Sequence, residues 1–376
     1  MYNIHSHYET IFHALSSIVT HRRVLYLHPY GATQPEDIEV IADDISKFGD
    51  DVTDGPLFIF YDQEPIIGEF NYVLFDHIRD NCQGPFILVT TERDSQAVDA
   101  VKARYNWPVV YYFHHAFAAH DWYRGYRYDS RLVPPQERSI TKKYITFNRL
   151  TSNSRVYRSL LISELVERDI LDQGHVSYND VCPDNGYNYA TNLMAARDAG
   201  LISDELVLKT ARNIVKAPLP LRVDYQDQDT IPNHSFMLSA VSETQESFCY
   251  VVTETCYWET KCHLTEKVFK PIVSKMPFIL VAPAFNLEYL KSYGFKTFDR
   301  WWNEDYDFET DPIKRLQKIS DVIEHICSYT NEQLEDMLKE MQPILEHNYN
   351  LFYSNEFLDH CWDELVTNLR HAANEV

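Results

Sequence analysis

The sequence predicts an α/β protein of two domains, and three observations predict it. Its 376 residues exceed one ordinary core and suit two, each with a sheet buried between helices. Short apolar runs ending in polar loops alternate with helically spaced stretches, the rhythm of βαβ units. Pro134-Pro135 interrupts that rhythm and a fresh apolar strand follows, which puts a linker at about residues 130 to 140.

The first domain opens on an amphipathic stretch (Ile11, Leu15, Ile18, Val19), passes through Val24-Leu25-Tyr26-Leu27, and reaches a polar helix over residues 36 to 48. Pro56-Leu57-Phe58-Ile59-Phe60-Tyr61 and Pro85-Phe86-Ile87-Leu88-Val89-Thr90 read as parallel strands buried on both faces, since both are apolar throughout. Each stops at a polar loop, Asp62-Gln63-Glu64-Pro65 and Thr91-Glu92-Arg93-Asp94. Tyr111-Tyr112-Phe113 ends another strand-like run before His114 and His115, either of which can serve as a base or as a structural imidazole.

The second domain starts at Lys143-Tyr144-Ile145-Thr146-Phe147 and continues into a helix carrying Leu160, Leu161, Leu165 and Ile170. A middle rich in Tyr, Asn and Asp has no clear period, and a helix follows over residues 204 to 215. Phe248-Cys249-Tyr250-Val251-Val252-Thr253, a helix beginning near Thr265, and Phe278-Ile279-Leu280-Val281 form another βαβ unit. Ile313, Leu316, Ile319, Val322, Ile323 and Ile326, then Leu334, Met337, Leu338 and Met341, fall at helical spacing and read as core stripes. The stretch from Asn348 through Trp362 to Leu369 is helical and aromatic.

Composition narrows the function. No stretch approaches the roughly eighteen apolar residues a bilayer span needs. The N-terminus lacks the basic start and apolar run of a secretory signal, so the expected compartment is the cytoplasm. Seven scattered cysteines do not make a disulfide framework and read as reduced, mostly buried thiols. Cys256, Cys262 and His263 lack the paired spacing and fourth ligand of a zinc site. A net charge of −22 opposes nonspecific binding to nucleic acid or anionic membrane. The segment over residues 122 to 149 is locally basic, with Arg124, Arg127, Arg131, Arg138, Lys142, Lys143 and Arg149, and is a candidate anion site.

Chemistry is expected where polar residues follow strands, because open α/β sheets bind ligands beyond the carboxyl ends of their strands. Neither G-x-G-x-x-G nor a P-loop occurs, so a bound diphosphate would rely on side chains and helix starts. The densest polar cluster in an apolar setting is Thr253-Glu254-Thr255 with Leu264-Thr265-Glu266-Lys267. A lysine there can neutralise a diphosphate, and a glutamate can accept both hydroxyls of a ribose. The bland alternative is a solvated first helical turn.

Thr253-Glu254-Thr255 with Leu264-Thr265-Glu266-Lys267, followed by Pro277-Phe278-Ile279-Leu280-Val281, resembles the donor-binding signature of α-1,3-fucosyltransferase-like GT-B enzymes. Tyr61-Asp62-Gln63-Glu64-Pro65, Thr265-Glu266-Lys267-Val268-Phe269-Lys270-Pro271 and Tyr293-Gly294-Phe295-Lys296-Thr297-Phe298 resemble glycosyltransferases common in tailed-phage genomes. The close part of the likeness spans residues 248 to 300. The chain departs from it with Thr253-Glu254-Thr255 where an aromatic-Glu-Asn triplet is usual and with a longer N-terminal lobe, so the donor sugar stays open.

The resemblance implies a GT-B-like fold: two Rossmann-like domains with a cleft between them. They are expected as an acceptor domain (1–135), a nucleotide-sugar donor domain (140–345) and a C-terminal helix (346–376) packing back on the first. It also implies that Glu266, Lys267 and one arginine grip ribose and diphosphate, with Glu254 and Thr265 in the same donor site. Arg149 and Arg155, in Phe147-Asn148-Arg149-Leu150-Thr151-Ser152-Asn153-Ser154-Arg155, both fit that arginine; Arg158 reads equally as a surface salt-bridge residue. The catalytic base is expected from Asp62 or Glu64, whose competing role is turn chemistry at a strand end.

Asp305-Tyr306-Asp307 matches a D-x-D metal motif only superficially and reads as a loop, and cations at the donor site make a metal unnecessary. The expected activity is metal-independent transfer of a hexosyl or pentosyl group from a nucleotide diphosphate sugar to a hydroxyl, with no cofactor. Expected acceptors are a glycan or a hydroxymethylated base of phage DNA, the latter placing the protein in a host cytoplasm. The alternatives are a nucleotide-sugar epimerase and a non-catalytic glycan- or nucleotide-binding protein.

Overall fold

A computed structural model describes residues 6–20, 23–27, 55–124, 131–134, 138–223 and 241–376. The polar helix expected over residues 36 to 48, Arg127 and Pro135 lie outside the described residues. The chain forms two compact units. One comprises residues 1–129, 260–263 and 354–376, the other residues 130–259 and 264–353.

In the first unit, α1 (His7–Leu15) precedes β1 (Arg23–Tyr26). Then come β2 (Leu57–Tyr61), α2 (Gly68–Asn81), β3 (Phe86–Thr90), α3 (Gln96–Tyr105), β4 (Val109–Tyr111) and α4 (His114–Trp122). The strands pair in parallel in the order β1-β2-β3-β4. Every residue of β2 and β3 is buried, the reason their sequences are apolar without alternation. Leu57, Ile59 and Tyr61 face a core with Phe75, Leu88, Val101 and Trp107. The strand-like run Tyr111-Tyr112-Phe113 is displaced: β4 ends at Tyr111, and Tyr112 and Phe113 lead into α4. The C-terminal helix (Asn355–Ala373) belongs to this unit. Its Asn368 amide donates to the Tyr111 carbonyl at 2.8 Å, and its Trp362 ring meets Phe117 edge-on.

The second unit runs β5 (Lys142–Asn148), a 3₁₀ turn (Asn153–Arg155), α5 (Tyr157–Glu167), β6 (Gly174–Tyr178), α6 (Tyr189–Asp198), α7 (Asp204–Ile214), α8 (Val241–Glu246) and β7 (Ser247–Thr253). It continues with a 3₁₀ turn (Glu266–Val268), α9 (Phe269–Val273), β8 (Phe278–Val281), α10 (Asn286–Ser292), a 3₁₀ turn (Asp305–Phe308), α11 (Pro312–Cys327) and α12 (Asn331–Phe352). All strand pairs are parallel, in the order β6-β5-β7-β8.

The strand after β5 lies on one side of it and the next lies on the other, so the winding direction reverses between β5 and β7. Such a reversal parts the two following loops and leaves a crevice at the strands' carboxyl ends. β6 and α6 fill the middle whose sequence has no period. β6 is short and mixed in polarity, and its first residue is Gly174, where a Cβ would lie 2.3 Å from the Tyr144 ring. α11 is capped by Asp311, which accepts from Ile313 N and Lys314 N, with Pro312 in the first turn. α12 starts with a reciprocal Thr330–Gln333 capping box. Asn348 lies within α12, and the aromatic C-terminal stretch divides into two helices where Ser354 caps the last one.

No helix of the described residues is long and apolar enough to cross a membrane. All seven cysteines are free, and six of them are buried.

Candidate functional site

In the second unit the polar cluster collects at the winding reversal. β7 delivers Glu254 one residue past its end, where the side chain is fully buried. Its carboxylate accepts from Thr265 Oγ1 at 2.5 Å and from Thr265 N at 3.3 Å. Burial pushes the Glu254 carboxyl up; the nearby Lys267 charge and the Thr265 hydrogen bonds oppose that shift. The Thr265 hydroxyl also accepts from Lys267 Nζ at 3.1 Å, and the same ammonium donates to Thr255 Oγ1 at 3.3 Å and Glu266 Oε1 at 3.0 Å. Lys267 keeps a quarter of its side chain exposed, whereas Glu254, Thr255, Thr265 and Glu266 are buried.

The neighbouring loop after β5 supplies the arginines. Its hydroxyl Ser154 Oγ donates to the Thr255 carbonyl at 3.4 Å, and Trp258 Nε1 donates to the Ser154 carbonyl at 2.9 Å. These bonds join the loop bearing Arg155 to the loop bearing Thr255. Arg155 is half-buried and closes the 3₁₀ turn, while Arg149 is exposed and its carbonyl accepts from Asn179 Nδ2 at 3.0 Å.

Arg158 is not a surface salt-bridge residue. It is 4% exposed and donates to the carbonyls of Leu150 at 2.9 Å, Thr253 at 3.0 Å and Glu254 at 3.1 Å. Tyr157 Oη adds a bond to the Glu254 carbonyl at 2.5 Å. These contacts hold the ends of β5 and β7 together beneath the cluster. The sequence signal was an arginine in an otherwise apolar helix start, Val156-Tyr157-Arg158-Ser159-Leu160.

No protein-family model, curated protein or solved structure matches the chain.

In the first unit Asp62 follows β2 and is fully buried. Tyr8 Oη donates to its Oδ1 at 2.9 Å and Tyr112 Oη donates to Oδ2. Tyr112 Oη also lies 2.9 Å from His114 Nδ1 and 3.1 Å from His7 Nε2, and Gln63 Nε2 donates to Tyr8 Oη at 2.9 Å. Burial, then the Asp62 charge, pushes the Tyr112 and Tyr8 phenols far up, so both remain donors at neutral pH. Burial, then the electrostatic influence of His114, holds His7 well below its ordinary value. Both Asp62 oxygens are thus engaged by tyrosines, whereas Glu64, two residues on, is partly exposed.

A second buried carboxylate, Glu92, follows β3. It accepts from Ile66 N at 2.7 Å, from Lys261 Nζ at 3.1 Å and from Ser95 Oγ. His115 is buried with its ring 5.6 Å from that of His263.

The remaining polar features are structural. Asp305-Tyr306-Asp307 forms a 3₁₀ turn rather than a loop, and Asp307 accepts from Leu287 N at 2.9 Å and Glu288 N at 3.1 Å, capping α10. Among the described residues no group of three or more His, Cys, Asp or Glu side chains could hold a metal ion. Four of the described basic residues between 122 and 149 make structural contacts. Arg131 donates to Tyr353 O, Arg138 to Ser274 O, Lys142 to Asp172 O, and Lys143 to Tyr329 O and Asn331 Oδ1.

Proposed function

We propose that the protein is a nucleotide-sugar-dependent glycosyltransferase of GT-B-like organisation, with the donor bound by the second unit and the acceptor by the first. The observation that carries the reading is Lys267. It is a cation held by Thr255, Thr265 and Glu266 at the winding reversal of a parallel sheet, where open α/β sheets bind ligands.

In this reading Lys267 and Arg155 neutralise the diphosphate and stabilise its charge as the glycosidic bond breaks. Glu266 turns from Lys267 to the ribose hydroxyls, and Arg149 is the second arginine at the mouth of the site. Glu254 acts through Thr265, positioning it from below rather than touching the donor. Glu64 is the base that takes the acceptor proton, and Asp62 organises Tyr8 and Tyr112 behind it. A sugar hydroxyl of a glycan or the hydroxymethyl group of a modified DNA base supplies the acceptor oxygen. The structural contacts that occupy Arg131, Arg138, Lys142 and Lys143 favour the glycan.

The test is a screen of nucleotide diphosphates and nucleotide sugars by thermal shift and mass spectrometry, on wild type and Lys267→Ala, with and without EDTA. Stabilisation by one nucleotide diphosphate that persists in EDTA and is lost in the variant supports the reading. Absence of any nucleotide binding by the wild type overturns it.

A further inference from the structure

Two phenyl rings stand exposed at the carboxyl end of the second unit's sheet, and the backbone is built to keep them there. Phe285 is 37% and Phe308 is 55% exposed, and their ring centroids lie 6.1 Å apart in an edge-to-face arrangement. Phe285 follows β8 by four residues and sits at φ 68°, in the left-handed region that bulky L residues rarely adopt. A residue held there is strained and persists only when its surroundings over-determine it.

The surroundings do so. Phe285 N donates to the Asp307 carbonyl at 2.7 Å, and the Asp307 carboxylate then caps the next two free amides of α10. Asn286 Nδ2 donates back to the Pro283 carbonyl at 3.0 Å and the Ala284 carbonyl at 3.3 Å. The turn carrying Phe308 and the turn carrying Phe285 are thereby locked to each other. None of these bonds buries either ring. The same strand is tied to the polar cluster, because Glu254 N donates to the Val281 carbonyl at 3.0 Å.

We infer that Phe285 and Phe308 form a stacking platform for the heterocyclic base of the nucleotide whose diphosphate lies on Lys267. The inference rests on the proposed donor site and deepens it by assigning the base. An aromatic face at the same end of the sheet as a cationic group suits a nucleobase joined to a phosphate chain, since every base has a π-face and stacking tolerates differences in its edge. The platform therefore supplies affinity for the base, while its edge must be read by other groups.

The test compares nucleoside diphosphates (UDP, GDP, ADP, CDP) with inorganic pyrophosphate by calorimetric titration, on wild type, Phe285→Gly, Phe308→Ala, the double variant and Lys267→Ala. Phe285→Gly removes the ring and relieves the left-handed strain, so its fold is retained. The expected result is nucleoside diphosphate affinity weakened about tenfold in each single variant and further in the double one, with pyrophosphate affinity unchanged. Lys267→Ala is expected to weaken both ligands. Unchanged nucleotide affinity in the double variant, with loss in Lys267→Ala, would overturn the platform and leave the donor site standing. Failure of wild type to bind either ligand would overturn both.

Discussion

The hydroxyl of Thr265 donates to the buried Glu254 carboxylate at 2.5 Å and accepts from the Lys267 ammonium at 3.1 Å. One oxygen thus couples a carboxylate below the sheet end to a cation at its surface. Thr265→Val, which keeps the shape and removes the hydroxyl, leaves Glu254 short of a donor and is expected to destabilise the fold by about 1–3 kcal/mol. Thr265→Ser should restore most of that loss. Urea unfolding of the two variants checks both statements.

Glu254 has a raised carboxyl pKa because burial penalises its charged form. Over a window upward from the ordinary carboxylate value, the folded state binds more protons than the unfolded one. Stability from this group therefore falls as pH rises through that window. The melting temperature of wild type minus that of Glu254→Gln is expected to decrease from mildly acid to neutral pH. A difference that does not change with pH would contradict the shift.

Tyr112 is the hub of the first unit's network, since its hydroxyl meets Asp62, His114 and His7 at once. Tyr112→Phe keeps the ring and removes all three contacts from a fully buried site. A loss of about 1–3 kcal/mol is expected, read as a lower urea midpoint at unchanged m-value. Removal of the Asp62 partner by Tyr8→Phe should cost less, because Tyr8 is partly exposed.

His7 has a lowered pKa, so below its ordinary value of 6.5 the unfolded state binds a proton that the folded state refuses. Stability is then lost as pH falls below about 6.5. A His7→Gln variant is expected to show a shallower fall between pH 6.5 and 5, measured by thermal denaturation across that range.

Strands buried on both faces were legible because burial demands apolar residues in an unbroken run, as in Leu57-Phe58-Ile59-Phe60-Tyr61 and Phe248-Cys249-Tyr250-Val251-Val252. β6 was not, since Gly174-His175-Val176-Ser177-Tyr178 mixes polar and apolar residues without strict alternation. α5 was legible as apolar but not as amphipathic, because every residue from Tyr157 to Leu165 is buried. The polar cluster could be singled out because Glu254, Thr255, Thr265, Glu266 and Lys267 are polar residues in an apolar stretch. What each side chain touches could not.

By itself the sequence determined the class of structure, two sets of parallel strands alternating with helices, because periodicity and turn residues are local and act through neighbours in the chain. It also marked the strand ends where polar groups accumulate. Tertiary structure alone decided the order β6-β5-β7-β8, and with it the winding reversal that sets the Arg155 loop beside Thr255. It alone turned Arg158 inward to bind three carbonyls and joined Phe285 to Phe308. Those relations link residues far apart in the chain, and only the packing of the sheet and the satisfaction of its buried polar groups bring them together.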